Sequence, residues 1–264
     1  MEIDDVTTVL REAAEAVIVP RFRALAEGDV SEKAPGEIVT VADREAEEII
    51  SRRLRGLLDA PVVGEEAVFA DPALVHALRT APTVWLVDPL DGTGNFVAGR
   101  PEHAVMAALV RDGETVGAWI VQPVTGRAYV AERGSGAWRD GERLRRAPAP
   151  PGTAKLRGDA LTRFLPPAAR ERVAAAAGGF AELGAGSRCA GFDYPRLAEG
   201  ERDFVLFHRT LPWDHAPGTL LLTEAGGTAL RPDGSPYDPA DEKKGLLAAA
   251  DERCWREVRG ELVG

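Results

Sequence analysis

Apolar positions along this chain recur at two different spacings. In "TVADREAEEIISRRLRGLL", Ile49, Ile50, Leu54, Leu57 and Leu58 fall on one face of a helix. The opening "DDVTTVLREAAEAVIVPRFRAL" predicts an earlier helix, kinked or ended at Pro20, which lacks an amide donor. Between the two, residues 26–37 read as a polar loop containing Gly and Pro. "PVVGEE" and "TVWLVDPL" are short β-rich runs that predict strands. "HAVMAALVRDGETVGAWIVQ" predicts a strand pair turning at Asp112-Gly113, and "GRAYVAERGSGAWRDGERL" continues the strand-and-turn pattern.

Residues 147–152, "APAPPG", form the clearest internal boundary. Beyond them the pattern predicts a helix near "PPAARERVAAAA" and strands near "FAELG" and "DFVLF". A helix in "WDHAPGTLLLTEAGG" and a closing strand–helix pair in "GLLAAADERCWREVRGEL" follow. The mixture predicts layered elements: an N-terminal α+β half, residues 1–150, and a C-terminal α/β half, residues 151–264, in one compact unit.

Composition narrows the function classes. With 45% hydrophobic and 28% charged residues the chain reads as soluble and globular. No apolar run approaches the roughly 18 residues of a membrane span. The acidic, polar opening has no signal-peptide pattern, so a cytoplasmic location is expected. Cys189 and Cys254 are too few and too isolated for a disulfide framework or a zinc site. A formal net charge of −10 argues against nucleic acid as a partner. It also means that a site for an anionic substrate needs a local cation.

Four short motifs could carry chemistry. In "WLVDPLDGTGNFV", Asp88 and Asp91 stand three apart at the end of an apolar run, with proline stiffening the turn between them. Close carboxylates repel and raise one another's pKa. The segment is therefore either an ordinary Asp/Gly turn or a metal site. A haloacid-dehalogenase phosphatase needs aspartates two apart. An EF-hand counted from Asp88 would place Leu90, Gly92 and Gly99 at ligand positions, so neither pattern applies. Glu65 and Glu66 follow an apolar strand start, where alternation would let only one of them face the Asp88 turn. Asp214 precedes a helix whose first turn is expected to hold Pro217, so it is either a third acidic site or simply the N-cap of that helix. His215 beside it reads as packing or surface. Thr40 and Asp43 have the spacing of a capping box, although a carboxylate held there could also accept a bond from another hydroxyl.

Taken in order, "VTVAD", "GEE", "WLVDPLDGTGNF", "AERGSGAWRDGERL" and "WDHAPGTLLLTEAGG" resemble the inositol monophosphatase family over most of the chain. That family falls within the metal-dependent, lithium-sensitive sugar phosphatases. The resemblance implies a layered αβαβα sandwich of the inositol monophosphatase / fructose-1,6-bisphosphatase type. It implies that Glu65, Asp88, Asp91, Asp214 and the Leu90 carbonyl bind two or three Mg2+ ions. It further implies that Thr93, paired with Asp43, orients the attacking water, so that Thr93, Asp43 and Glu65 are the catalytic residues. Leu90, Asp91, Gly92, Thr93 and Asp214 would bind substrate. All-oxygen ligands suit Mg2+. Two such ions ~3.5–4 Å apart can activate water and steady the leaving oxygen. Gly92 would let a phosphate approach the amides of Gly92 and Thr93.

The expected reaction is direct hydrolysis of a small polyol or sugar phosphate, without a phosphoenzyme. A homodimer is the expected assembly, with neither membrane nor nucleic acid as partner. Inositol-selective members of the family place a sugar-gripping glutamate where this chain has Phe207, which predicts broad activity over monoesters. Ser187, Asp193, His208 and Arg209 are candidates for the alcohol pocket. Histidinol phosphate, fructose 1,6-bisphosphate and 3′-phosphoadenosine 5′-phosphate stay open as substrates. Some relatives bind the transcription or RNA-processing machinery, so an interaction protein is the alternative class.

Overall fold

The first helix, α1 (Ile3–Ala13), buries Val6, Val9 and Leu10 and runs on through a wide turn (Ala14–Ile18) and a tight one (Val19–Arg21). Pro20 ends this path, because Phe22 is extended. The computed structural model describes residues 3–34 and 36–264. Part of the expected loop at residues 26–37 is instead a strand. β1 (Val30–Ala34) pairs antiparallel with β2 (Glu37–Thr40), which runs directly into α2 (Val41–Leu57). The exposed half of β1 is polar and carries no alternating apolar signal, which is why periodicity missed it.

A larger mixed sheet follows. β3 (Val62–Gly64) leads into α3 (Glu65–Ala70) and α4 (Ala77–Thr80), then β4 (Thr83–Asp91) and α5 (Thr93–Val97). β5 (Ala104–Arg111), β6 (Glu114–Val121), β7 (Ala128–Glu132), β8 (Gly136–Arg139) and β9 (Glu142–Leu144) form an antiparallel meander. The order is β3-β4-β5-β6-β7-β8-β9, with only β3 parallel to its neighbour.

Past residues 147–152 the second sheet has the order β11-β10-β12-β14-β13. β10 (Arg157–Ala160) precedes α6 (Pro167–Ala176), and β11 (Glu182–Gly184) precedes α7 (Ala190–Glu199). β12 (Phe204–Phe207) leads to α8 (Pro212–Ala225), and β13 (Thr228–Leu230) and β14 (Leu246–Ala249) lead to α9 (Glu252–Leu262). β10, β13 and α7 had no clear sequence signal. Nearly all of α7 is buried and it contains Pro195, so it shows neither an amphipathic stripe nor a clean propensity.

Alternation along β5 shows how the layers stack. Val105, Ala107 and Leu109 face α1 and α2, together with Trp85 and Trp119. Ala104 and Met106 face the other way, against α7 and α8. The second sheet covers the far side of those helices through Val205 and Phe207, and α6 and α9 close its outer face with Val173, Trp255 and Val258. The result is the αβαβα sandwich that the resemblance implied.

Candidate active site

Between these layers lies a cleft of about 490 Å³. Its wall is built from the β1–β2 hairpin, the start of α3, the β4–α5 turn, the loops before α6 and α7, and the β12–α8 segment. Glu65, Asp88, Leu90, Asp91, Gly92, Thr93 and Asp214 all line it, so the structure brings together residues spread over about half the chain.

The two aspartates share a face because of a fault in the sheet. Asp88 stands opposite Met106 and Asp91 opposite Ala104, so three steps along β4 match two along β5. Residues three apart on a regular strand point to opposite faces. One extra residue, a β-bulge, turns both carboxylates toward α7 and α8. Asp91 Oδ2 then accepts from the Gly191 amide at 2.6 Å and from Cys189 Sγ at 3.1 Å, at the start of α7. Asp88 Oδ1 accepts from the Leu90 amide at 3.0 Å.

Gly92 follows in the left-handed region, with φ +82. A Cβ there would lie 2.7 Å from the Glu102 carbonyl oxygen and 3.1 Å from Cys189 Cβ, so both conformation and space require glycine. Asn95 donates to the carbonyls of Glu102 and Ser187, which ties the turn to the loop before α7.

The capping box at Thr40 and Asp43 is present, and so is the second bond it left room for. Asp43 Oδ2 accepts from the Thr40 amide at 2.8 Å and from its hydroxyl at 2.5 Å, while Thr40 Oγ1 accepts from the Ala42 amide. Asp43 Oδ1 accepts from Thr93 Oγ1 at 2.9 Å. Burial pushes Asp43 up to about 6 despite these donors.

Two expectations need correction. Glu65 and Glu66 open α3 rather than extend a strand, and Lys33 Nζ lies 2.6 Å from a carboxylate oxygen of each, although of the two it is Glu65 that lines the cleft with Asp88, as expected. Asp214 is not the N-cap of α8. Leu211 caps it and Pro212 occupies the first turn, leaving Asp214 within that turn and Pro217 in the helix interior.

Like charges crowd the site. Burial, then Glu65, Asp91 and Asp214, hold Asp88 well above the carboxylate range. Burial, then Asp91 and Glu65, do the same to Asp214, and burial lifts Asp91 to about 6. Burial alone would lower Lys33, yet the neighbouring Glu65 and Glu66 raise it overall. Among the described residues no three His, Cys, Asp or Glu side chains enclose an ion as they stand, and Glu65 is turned to Lys33. The donor chemistry nonetheless fits a hard divalent cation, since buried oxygen ligands that repel one another are relieved by positive charge.

Of the residues expected around the alcohol, His208 and Arg209 line the cleft but Ser187 and Asp193 do not. Asp193 is buried and accepts from the Ser187 amide, so it shapes the loop. Phe207 forms an apolar wall, stacked on Tyr194 at 5.1 Å and edge-on to His215 at 4.8 Å. His215 packs as a neutral ring, with its Nε2 donating to the Arg209 carbonyl and its Nδ1 accepting from the Tyr194 hydroxyl; burial lowers it to about 3. Sequence reasoning missed Lys33, which lay in the supposed loop. It also missed Glu47, whose carboxylate accepts from the Glu66 and Ala67 amides at 2.8 Å each and holds the start of α3. Arg163 and Arg188 were missed as well, since both sit in loops without a motif.

A model of the inositol monophosphatase family matches residues 2–262. An inositol-1-monophosphatase of Rhizobium meliloti is 35% identical over 222 residues, 78% of this chain and 76% of that protein. A Nus factor SuhB of Pseudomonas aeruginosa is 30% identical over 266 residues, 94% of this chain and 90% of that one. The crystal structure of extragenic suppressor protein suhB from Bartonella henselae superposes with a TM-score of 0.81 at 26% identity, covering 98% of both chains.

Proposed function

This chain belongs to the inositol monophosphatase family, and we propose on that basis that it hydrolyses small polyol or sugar phosphate monoesters with Mg2+ as cofactor. Members of the family are metal-dependent phosphatases. The observation that carries the reading to these residues is the bulge that turns Asp88 and Asp91 to one face beside Asp214 and the Thr93–Asp43 pair.

In this reading Glu65, Asp88, Asp91, Asp214 and the Leu90 carbonyl hold two or three Mg2+ ions. Bound there, the ions neutralise the carboxylates, acidify water and stabilise charge on the leaving oxygen. The amides of Gly92 and Thr93 receive the phosphate oxygens. Thr93 Oγ1 accepts a proton from the attacking water as its own passes to Asp43 Oδ1. A carboxylate lifted to about 6 is still ionised at neutral pH yet more basic than usual, which suits that task. The water oxygen bonds to phosphorus, the phosphorus–alkoxide bond breaks, and the alkoxide takes its proton from solvent. No covalent intermediate is needed.

The halves 1–150 and 151–264 supply complementary parts of this site, the second contributing Asp214. A homodimer in the cytoplasm belongs to the same reading. Among the described residues no helix is long and apolar enough to cross a membrane. Phosphate release from a panel of monoesters in Mg2+, abolished by excess EDTA, is the direct test; undiminished release in EDTA would exclude it.

The likeness to a protein named Nus factor SuhB supports a second reading, in which the chain also contacts the transcription or RNA-processing machinery. Co-purification of such proteins, with no phosphate released from any ester, would favour that role over catalysis.

A further inference from the structure

We infer that the leaving alcohol carries a second anionic group, a phosphate or a carboxylate, received by Arg163, Arg188 and Arg209 at the mouth of the cleft. The inference rests on the phosphatase reading and narrows its substrate class.

The chain has a net charge of −10, yet Lys33, Arg100, Arg163, Arg188 and Arg209 all line this one cleft. Two of the five are matched by carboxylates: Lys33 by Glu65 and Glu66, and Arg209 by Glu37. Among the described residues Arg163 donates only to the Gly36 carbonyl, at 2.7 Å. Arg188 has no hydrogen bond or ion pair with any described residue. It also stands in the left-handed region, φ +63, where glycine would be the easier residue.

Two of the three arginines have a fixed setting. Phe164 is 42% exposed, and its ring lies 4.9 Å from the Arg163 guanidinium carbon and 4.6 Å from that of Arg209. An aromatic face restrains both groups without covering their N–H edges, of which Arg209 shares part with Glu37 and Arg163 part with the Gly36 carbonyl. Guanidinium groups set in this way recognise phosphate or carboxylate through paired hydrogen bonds.

Two of them reach the cleft from other elements than the carboxylates. Arg163 and Arg188 come from the loops after β10 and β11, whereas the carboxylate cluster comes from α3, β4 and α8. The lining between those loops, Leu161, Thr162, Phe164 and Ala185 with Phe207, is mostly apolar, and the nearby carboxylate of Glu37 is taken up by Arg209. Charge is therefore the main source of selectivity on this side.

The test compares kcat/KM within matched pairs: fructose 1-phosphate against fructose 1,6-bisphosphate, and glycerol 2-phosphate against 2-phosphoglycerate. The doubly anionic ester should be favoured about tenfold or more in at least one pair, as a charge-assisted bond implies. Preference in one pair only identifies the second group as phosphate or as carboxylate. Added salt should shrink the ratio, and the Arg163→Gln/Arg188→Gln double variant should bring it close to one. Ratios near one in both wild-type pairs, or a ratio unchanged in the double variant, would overturn the inference. If no ester releases phosphate, the phosphatase reading itself fails. Calorimetric titration of the same pairs then decides the inference, and equal affinities within each pair would reject it.

Discussion

Thr93 Oγ1 donates to Asp43 Oδ1 at 2.9 Å, across 50 positions of sequence, while the other oxygen of the same carboxylate completes a helix cap. The two functions are thus assigned to different atoms and can be separated. Thr93→Ala should lower kcat by roughly 10²–10⁴-fold with little change in melting temperature. Thr40→Ala should cost about 0.5–2 kcal/mol of stability and lower kcat much less. Equal loss of kcat in the two variants would show that Thr93 has no special role.

Stability of the metal-free protein should rise on mild acidification. Burial and mutual repulsion hold Asp88 and Asp214 well above the carboxylate range, and Asp91 and Asp43 are raised to about 6. The folded state therefore binds protons more tightly than the unfolded chain. Stability from protonation is full at low pH and is lost as pH rises through the folded values. EDTA-treated protein should melt higher at about pH 5.5 than at about pH 7.5, and Mg2+ should stabilise it more at the higher pH. A melting temperature that falls on acidification across this window would contradict the arrangement.

Asp214→Asn removes one of the repelling charges, and its amide can donate where the carboxylate could only repel. The variant should lose most phosphatase activity, and without metal it should be at least as stable as the parent. Asp91→Asn is a poorer probe, because Asp91 also accepts the Gly191 amide. A metal-free Asp214→Asn protein less stable than its parent would argue against crowding of the carboxylates.

Gly64→Ala tests the setting of Glu65. An added Cβ would lie 2.4 Å from the Glu47 carboxylate carbon, and that carboxylate anchors the start of α3. The expected cost is about 1–3 kcal/mol, as for overpacking in a filled interior. Half-maximal activity should also require more Mg2+. A stability loss without any change in Mg2+ requirement would confine Glu47 to structure.

The acidic side chains of the cleft were legible in the sequence because each sits inside a short contiguous motif, and α2 and the β5–β6 pair because their periods are regular. Lys33 was not, since β1 is too polar to alternate. The helical start of α3 was hidden because Gly64 precedes it without a side-chain cap. Pro212 moved the start of α8 two residues ahead of Asp214, a shift that Pro217 disguised. Arg163 and Arg188 join the cleft only through tertiary folding of two loops, for which single-sequence patterns have no vocabulary.

The bulge between Asp88 and Asp91 also decides which codon the sheet can spare. Leu90 and Val105 belong to the same core against α1 and α2, which leaves Pro89 as the residue in excess. A strand shortened by Pro89 would set Leu90 opposite Val105 and keep Asp91 opposite Ala104, with every side chain on its present face. Only the break in the ladder would close. That break frees backbone groups from pairing, and one of them, the Leu90 carbonyl, lies 3.0 Å from Thr93 Oγ1. Loss of Val87 would instead turn the upstream half of β4 over, exchanging Trp85 and Leu86 between two cores. The same three-nucleotide lesion would therefore give a folded protein with a disarmed site at one position, and an unfolded chain two positions away.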